Sequence, residues 1–298
     1  MSFKPCDYPD RWKGILFVLG LLLLDALFVR VAFALGPDAG SYLLGLCVLA
    51  SLPVLIYVGY RTHGAFALEY WVERDGVTVV WGTMRQVVPM GEILRIQQGA
   101  DLANGAPPRP WHFPCPDCRW MASKQLGRVR SYATRPLPEQ VILVTASGNY
   151  GLSPSDPDAF IHALQERYRL GIAHPLQAQV QRPPLWTWAL WRDRQALALI
   201  GLGLAGVLLL FGALCFRFPA LSANLPLHFD ANGLPDRIAG KAELFALPLI
   251  GLFAWGANVA AGILIYRQVQ RQGAYLLWGG AVVVEIIAGF ALRNLMRW

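Results

Sequence analysis

Five long apolar runs constrain this chain more than any other feature. They are Gly14–Leu35, Tyr42–Tyr60, Ala196–Phe216, Ala242–Tyr266 and Ala274–Leu292. Each is close to the roughly 20 residues that cross a hydrocarbon layer about 30 Å thick. Inside that layer the backbone must satisfy its own hydrogen bonds, so each run is expected to be a helix. Composition agrees: of 298 residues, 15% are charged and 55% apolar, against about 25% and about 45–50% in soluble domains. The expected class is an α-helical polytopic membrane protein with five spans. Pro53 and Pro248 fall inside two runs, where kinks are expected. The first run, preceded by Lys4, Arg11 and Lys13, shares features with a secretory signal. Its length, and the Asp25 and Arg30 within it, favour an uncleaved helix.

Lys and Arg set the expected orientation. With the N-terminus inside, twenty of the 26 basic residues fall on the inner side and five on the outer, with Arg30 in the membrane. The C-terminus is then outside. Trp186, Trp188 and Trp191 before the third span, and Trp298 at the far end, suit interfacial belts. The net charge of +7 follows from this asymmetry. No basic stripe marks a nucleic-acid surface, so no nucleic-acid partner is expected.

The hydrophilic section between the second and third spans reads as an α+β domain. Phe66–Glu73 and Val77–Trp81 are strand-like around an Asp75-Gly76 turn, and Arg85–Met90, Ile93–Gln97, Val141–Ala146 and Asn149–Leu152 follow. Asp156 suits a helix N-cap and Pro157 the first helical position. Phe160, Ile161, Leu164 and Tyr168 then repeat at helical spacing. The expectation is an antiparallel β-meander closed by one helix. Gly99–Pro138, rich in Pro, Gly and Arg, is an insertion with room for one more hairpin. Residues 173–194 read as a linker and interfacial aromatic segment, and 217–241 as an outer loop.

Two segments carry family resemblances. Tyr150-Gly151-Leu152-Ser153-Pro154-Ser155-Asp156-Pro157-Asp158-Ala159-Phe160-Ile161, with Val88-Pro89-Met90-Gly91-Glu92-Ile93 before it, resembles the bacterial pleckstrin-homology (PH) domain of membrane proteins over about 64–172. The Cys-bearing insertion departs from that family's compact loop. Leu225-Pro226-Leu227-His228-Phe229-Asp230-Ala231-Asn232-Gly233-Leu234-Pro235-Asp236, followed by Lys241, resembles the loop between spans in an uncharacterised bacterial membrane family. That loop also occurs in toxin-immunity membrane proteins, and the similarity covers about 195–292. Neither resemblance implies an enzyme; a PH-type domain implies binding of protein or lipid. The implied location is a bacterial inner membrane, with the N-terminus and PH-like domain cytoplasmic.

Chemistry-bearing residues fall in four groups. His112, Cys115 and Cys118 offer half of a zinc site, a loop with two reduced thiols, or a reversible disulfide, since zinc takes four ligands and no second Cys pair exists. Asp25, Arg30 and Glu285 lie within spans, where a lone charge is costly and should face other helices. A structural Arg30–carboxylate pair tying the first helix to the fifth is expected, and a proton or ion path is the alternative. Pro226, His228, Phe229, Gly233, Pro235, Asp236 and Lys241 form the outer-loop motif, read first as a turn with interfacial charges and second as a cation site. The insertion holds Trp111, Arg119, Trp120, Lys124, Arg128 and Arg130. Aromatic and Arg side chains are the usual interface anchors, so these are the expected partner or lipid contacts. The first hairpin, Glu73-Arg74-Asp75, lacks a basic cluster and is not.

No HExxH, GxSxG, Walker or GxGxxG pattern occurs. The expected function is a non-catalytic, membrane-anchored docking module or accessory subunit. Its partners would be the bilayer and other membrane or cytoplasmic proteins. The alternative is a small ion-coupled transport or toxin-immunity protein using Asp25, Arg30 and Glu285.

Overall fold

A computed structural model describes residues 1–7, 11–102, 120–123, 125–174, 176–181, 188–229, 235–268 and 270–297. They form two compact units, Met1–Leu23 with Ser51–Leu185, and Leu24–Ala50 with Trp186–Trp298. The chain opens with strand β1 (Ser2–Phe3) and two long helices, α1 (Arg11–Leu35) and α2 (Ala39–Phe66). Both helices carry long apolar stretches and contribute to both units. Pro53 lies inside α2.

The strands of the first unit are β2 (Glu69–Val72), β3 (Gly76–Trp81), β4 (Met84–Pro89), β5 (Ile93–Gln98), β6 (Trp120–Ser123), β7 (Gly127–Tyr132), β8 (Val141–Thr145) and β9 (Asn149–Leu152). Helix α3 (Pro157–Arg169) and strand β10 (Gln179–Gln181) follow. They build two five-stranded sheets, ordered β1-β2-β3-β4-β10 and β5-β8-β9-β7-β6. Alternation in β2 and β4 sends Tyr70, Val72, Met84 and Val88 inward. There they meet Leu143, Leu152, Phe160 and Leu164 in the main core. Strand β8 is buried along its whole length. Its other face, through Ile142 and Val144, packs on Val129 and Leu137.

Helix α3 starts where its sequence says it should. The Asp156 carboxylate accepts from the Ala159 N–H at 2.9 Å, and Pro157 takes the first turn. The preceding Ser153 is buried and joins the sheets. Its hydroxyl accepts from the Thr134 N–H at 2.8 Å, and its own N–H donates to the Tyr70 hydroxyl at 3.2 Å.

Three features depart from the expected meander. Strand β9 lies between β8 and β7 and runs parallel to β7, because the tight turn to β8 fixes one neighbour and leaves its other edge open. Strand β1, from before the first span, pairs with β2 through Ser2 and Trp71. Strand β10, inside the expected linker, pairs with β4. Strands of two or three residues have too few positions to show a period.

The second unit contains α4 (Arg194–Arg217), the hairpin β11 (Asn224–Phe229) with β12 (Pro235–Gly240), α5 (Ala246–Arg267) and α6 (Arg271–Leu295). With α1 and α2, these helices make five that are long and apolar enough to cross a membrane. Glycines let large side chains into the bundle. A Cβ on Gly203 would meet the Trp255 ring at 2.6 Å, and one on Gly262 the Trp278 ring at 2.3 Å. Close approach through small residues is the usual packing device of membrane helices.

Candidate binding surfaces

Strands β6 and β7 carry an aromatic–basic group, exposed at Trp120, half-buried at Arg130 and closed inward at buried Tyr132. The Arg130 guanidinium lies 5.4 Å from the Trp120 ring centroid and 5.3 Å from that of Tyr132. Its Nη1 donates to Gln86 Oε1 at 3.1 Å, and the Tyr132 hydroxyl donates to the same oxygen at 3.3 Å. Gln86 is buried, on the inward register of β4 between Met84 and Val88. A guanidinium held by a buried amide and two rings loses little further freedom on binding. Trp120 remains 59% exposed, and Arg128 is exposed on β7. Of the expected contact residues, the structure therefore brings Trp120 and Arg130 together and places Arg128 one register step away. Trp111, Arg119 and Lys124 lie outside the described residues. Gln86 and Tyr132 were not expected; a Gln on the inward register of a strand was the available signal, because a buried amide requires partners.

The first hairpin is occupied otherwise. Arg74 donates to the carbonyls of Gly171 and Leu170, both at 2.9 Å. The Asp75 carboxylate accepts from the backbone N–H groups of Ala173 at 2.7 Å and His174 at 3.0 Å. The His174 N–H, then that of Ala173, hold its carboxyl below the usual carboxylate range. This loop clamps the chain that leaves α3.

The outer-loop motif is paired within itself. His228 Nδ1 lies 2.6 Å from Asp236 Oδ1, and Arg237 donates to Glu243 at 2.8 Å. The Lys241 ammonium donates to the carbonyls of Phe218 at 2.9 Å and Leu221 at 3.2 Å, just beyond α4, and sits 4.6 Å from the Phe218 ring. Leu225 from β11 is fully buried against Leu214, Leu244 and Leu292. Pro226 and Pro235 are strand residues of the hairpin, and Phe229 ends β11. The motif thus serves to seat a hairpin on one end of the helices. Gly233 lies outside the described residues.

The intramembrane charges separate. Asp25 is buried, whereas Arg30 is exposed. Glu285 on α6 is 4% exposed, and neither carboxylate oxygen has a hydrogen-bond partner among the described residues. Its stem fits against Gly206 of α4, and its oxygens against Gly251 of α5. The expected Arg30–Glu285 pair is therefore not made. Glu285 points into the seam between α4 and α5, a rotation about the α6 axis that sequence spacing does not set.

Among the described residues no group of three or more His, Cys, Asp or Glu could hold a metal ion. His112, Cys115 and Cys118, the weak zinc candidates, lie outside those residues.

The family model of the bacterial PH domain matches residues 68–168. The model of the domain of unknown function DUF1648 matches residues 205–252. That second stretch covers the second half of α4, the β11–β12 hairpin and the start of α5. No curated protein and no solved structure matches the chain. Together with the five membrane-capable helices, the matches describe a PH-domain-containing membrane protein, an α-helical polytopic chain with an inserted α+β domain. Neither family is of an enzymatic kind.

Proposed function

We propose that this chain is a membrane-held docking subunit, without catalysis of its own, that binds a protein partner through the β6–β7 face of its PH-type domain. Membrane contact and a binding role follow from the two family matches and the apolar helices; choosing a protein partner is the further step. The observation carrying it is exposed Trp120 over the Arg130 guanidinium, which is backed by buried Tyr132 and pinned by buried Gln86. Trp, Tyr and Arg in well-ordered settings dominate binding energy at protein interfaces. Tethering on both sides to spans raises the effective concentration of the domain toward a partner in the same membrane. The same reading places the N-terminus and the PH-type domain in the cytoplasm of a bacterial cell and the C-terminus outside.

The test is affinity capture of the full chain in mild detergent, with mass spectrometry. Trp120→Ala and Arg130→Ala should each weaken recovery of a specific partner by roughly 30-fold, the equivalent of a hot-spot loss of about 2 kcal/mol. Equal recovery of every partner by both variants would remove this face from consideration.

A further inference from the structure

At one end of the helix bundle α4 begins, α5 ends and α6 begins, so the residues from Trp188 to Arg194 meet the α5–α6 connection. Four arginines converge there: Arg192 and Arg194 beside the start of α4, Arg267 at the end of α5 and Arg271 at the start of α6. All four are exposed. The Arg267 guanidinium lies 5.6 Å from the Trp188 ring, and that of Arg271 lies 5.7 Å from the Tyr266 ring. Two adjoining cavities open between them, of about 310 Å³ and about 640 Å³. Arg271 and Tyr266 line both.

The nearby acid, Asp193, offsets one of these four charges and is bonded to neutral donors. Asp193 Oδ1 accepts from the N–H groups of Gln195 and Ala196, each at 3.1 Å, and caps α4. Its Oδ2 accepts from the hydroxyls of Tyr266 at 2.9 Å and Tyr275 at 2.5 Å. None of the four guanidiniums has an ion pair to a carboxylate among the described residues. The result is a pocket with four guanidiniums against one carboxylate and with aromatic walls, level with the ends of three apolar helices.

The geometry points to a binding site for the headgroup of an anionic phospholipid. Guanidinium forks match phosphate oxygens in pairs. Trp and Tyr at helix ends sit at headgroup depth, and basic pockets between spans on one face of the membrane suit anionic headgroups. Free inorganic phosphate would satisfy the same arginines. Only a lipid would also use the apolar helix surfaces that run away from the pocket, which is why a lipid is the occupant assigned. This site is separate from the β6–β7 face and does not depend on the function proposed for it.

The experiment is native mass spectrometry of the purified full chain, titrated with phosphatidylglycerol or phosphatidylcholine, with sodium phosphate and glycerophosphoglycerol as soluble competitors. Phosphatidylglycerol should be retained in preference to phosphatidylcholine. The double variant Arg267→Gln/Arg271→Gln should weaken that retention by roughly tenfold or more. Arg293→Gln, which removes one charge at the far end of α6, should leave it unchanged. Equal retention of the two lipids, or undiminished phosphatidylglycerol binding in the double variant, overturns the site. Displacement by millimolar phosphate as readily as by lipid would show a soluble-anion site and overturn the lipid assignment. Should the double variant fail to fold, the lipid preference of the unmodified protein and its competition by soluble phosphate decide alone.

Discussion

Glu285 is the residue whose surroundings are least like those expected of its chemistry. A buried carboxyl group without a hydrogen-bond partner costs on the order of 1–3 kcal/mol, and among the described residues both of its oxygens are in that position. Glu285→Met, of similar volume, should therefore raise the melting temperature of the detergent-solubilised protein. Gly251→Ala should lower it, because a Cβ there would sit 2.6 Å from a Glu285 oxygen, an overpacking worth about 1–3 kcal/mol. A destabilised Glu285→Met would reveal a partner for the acid. Sequence reading singled out Glu285 but assigned it the wrong neighbour. Its depth followed from its place in the run, while its direction is set by Gly206 and Gly251 on two other helices.

At the scale of single elements, local signals worked where the cause was local. The Asp75-Gly76 turn, the strands at β2 and β4, and the Asp156-Pro157 start of α3 need only their own neighbours. The β11–β12 hairpin was read as a turn because its strands carry Pro226 and Pro235 and shift register near His228. Its purpose, burying Leu225 under the helix ends, is a tertiary matter. The start of α4 offers a test at this scale. Hydrogen bonds from Tyr275 first, then the Ala196 N–H, hold the Asp193 carboxyl below its ordinary value of 3.8. A carboxyl lowered in the folded state stabilises above that value, and the contribution is lost as pH falls from it through the lower folded-state value. Melting temperatures measured from pH 7 to pH 3 should drop less steeply below about pH 5 for Asp193→Asn than for the unmodified chain. Parallel curves would mean that the carboxylate is not held as described.

On the scale of the whole molecule, one strand pair restricts topology independently of any charge count. Strand β1 precedes α1, β2 follows α2, and the two are hydrogen-bonded neighbours. A sheet cannot pair across a bilayer, so α1 and α2 together must return the chain to the side it left. Gln165, before α4, and Ser222, after it, should then lie on opposite sides. In intact cells a membrane-impermeant thiol reagent should label Ser222→Cys and leave Gln165→Cys unlabelled until lysis, given the excess of Lys and Arg on the Gln165 side. The opposite pattern inverts the orientation; labelling of both denies that α4 crosses.

That N-terminal strand also has a meaning in time. Phe3 packs edge-on against Phe160 at 5.3 Å, and Pro5 bridges to Pro154. The ribosome makes these partners about 150 residues apart. At about 5–20 residues per second, the segment before α1 waits roughly 8 to 30 s for these contacts with Pro154 and Phe160. Two hydrophobic hairpin arms must be handed to the insertion machinery during that interval, with the leading strand left dangling on the near side. Phe3 and Pro5 thus complete their contacts only after Pro154 and Phe160 have been made, and a nascent chain arrested before residue 150 should leave that segment more open to protease.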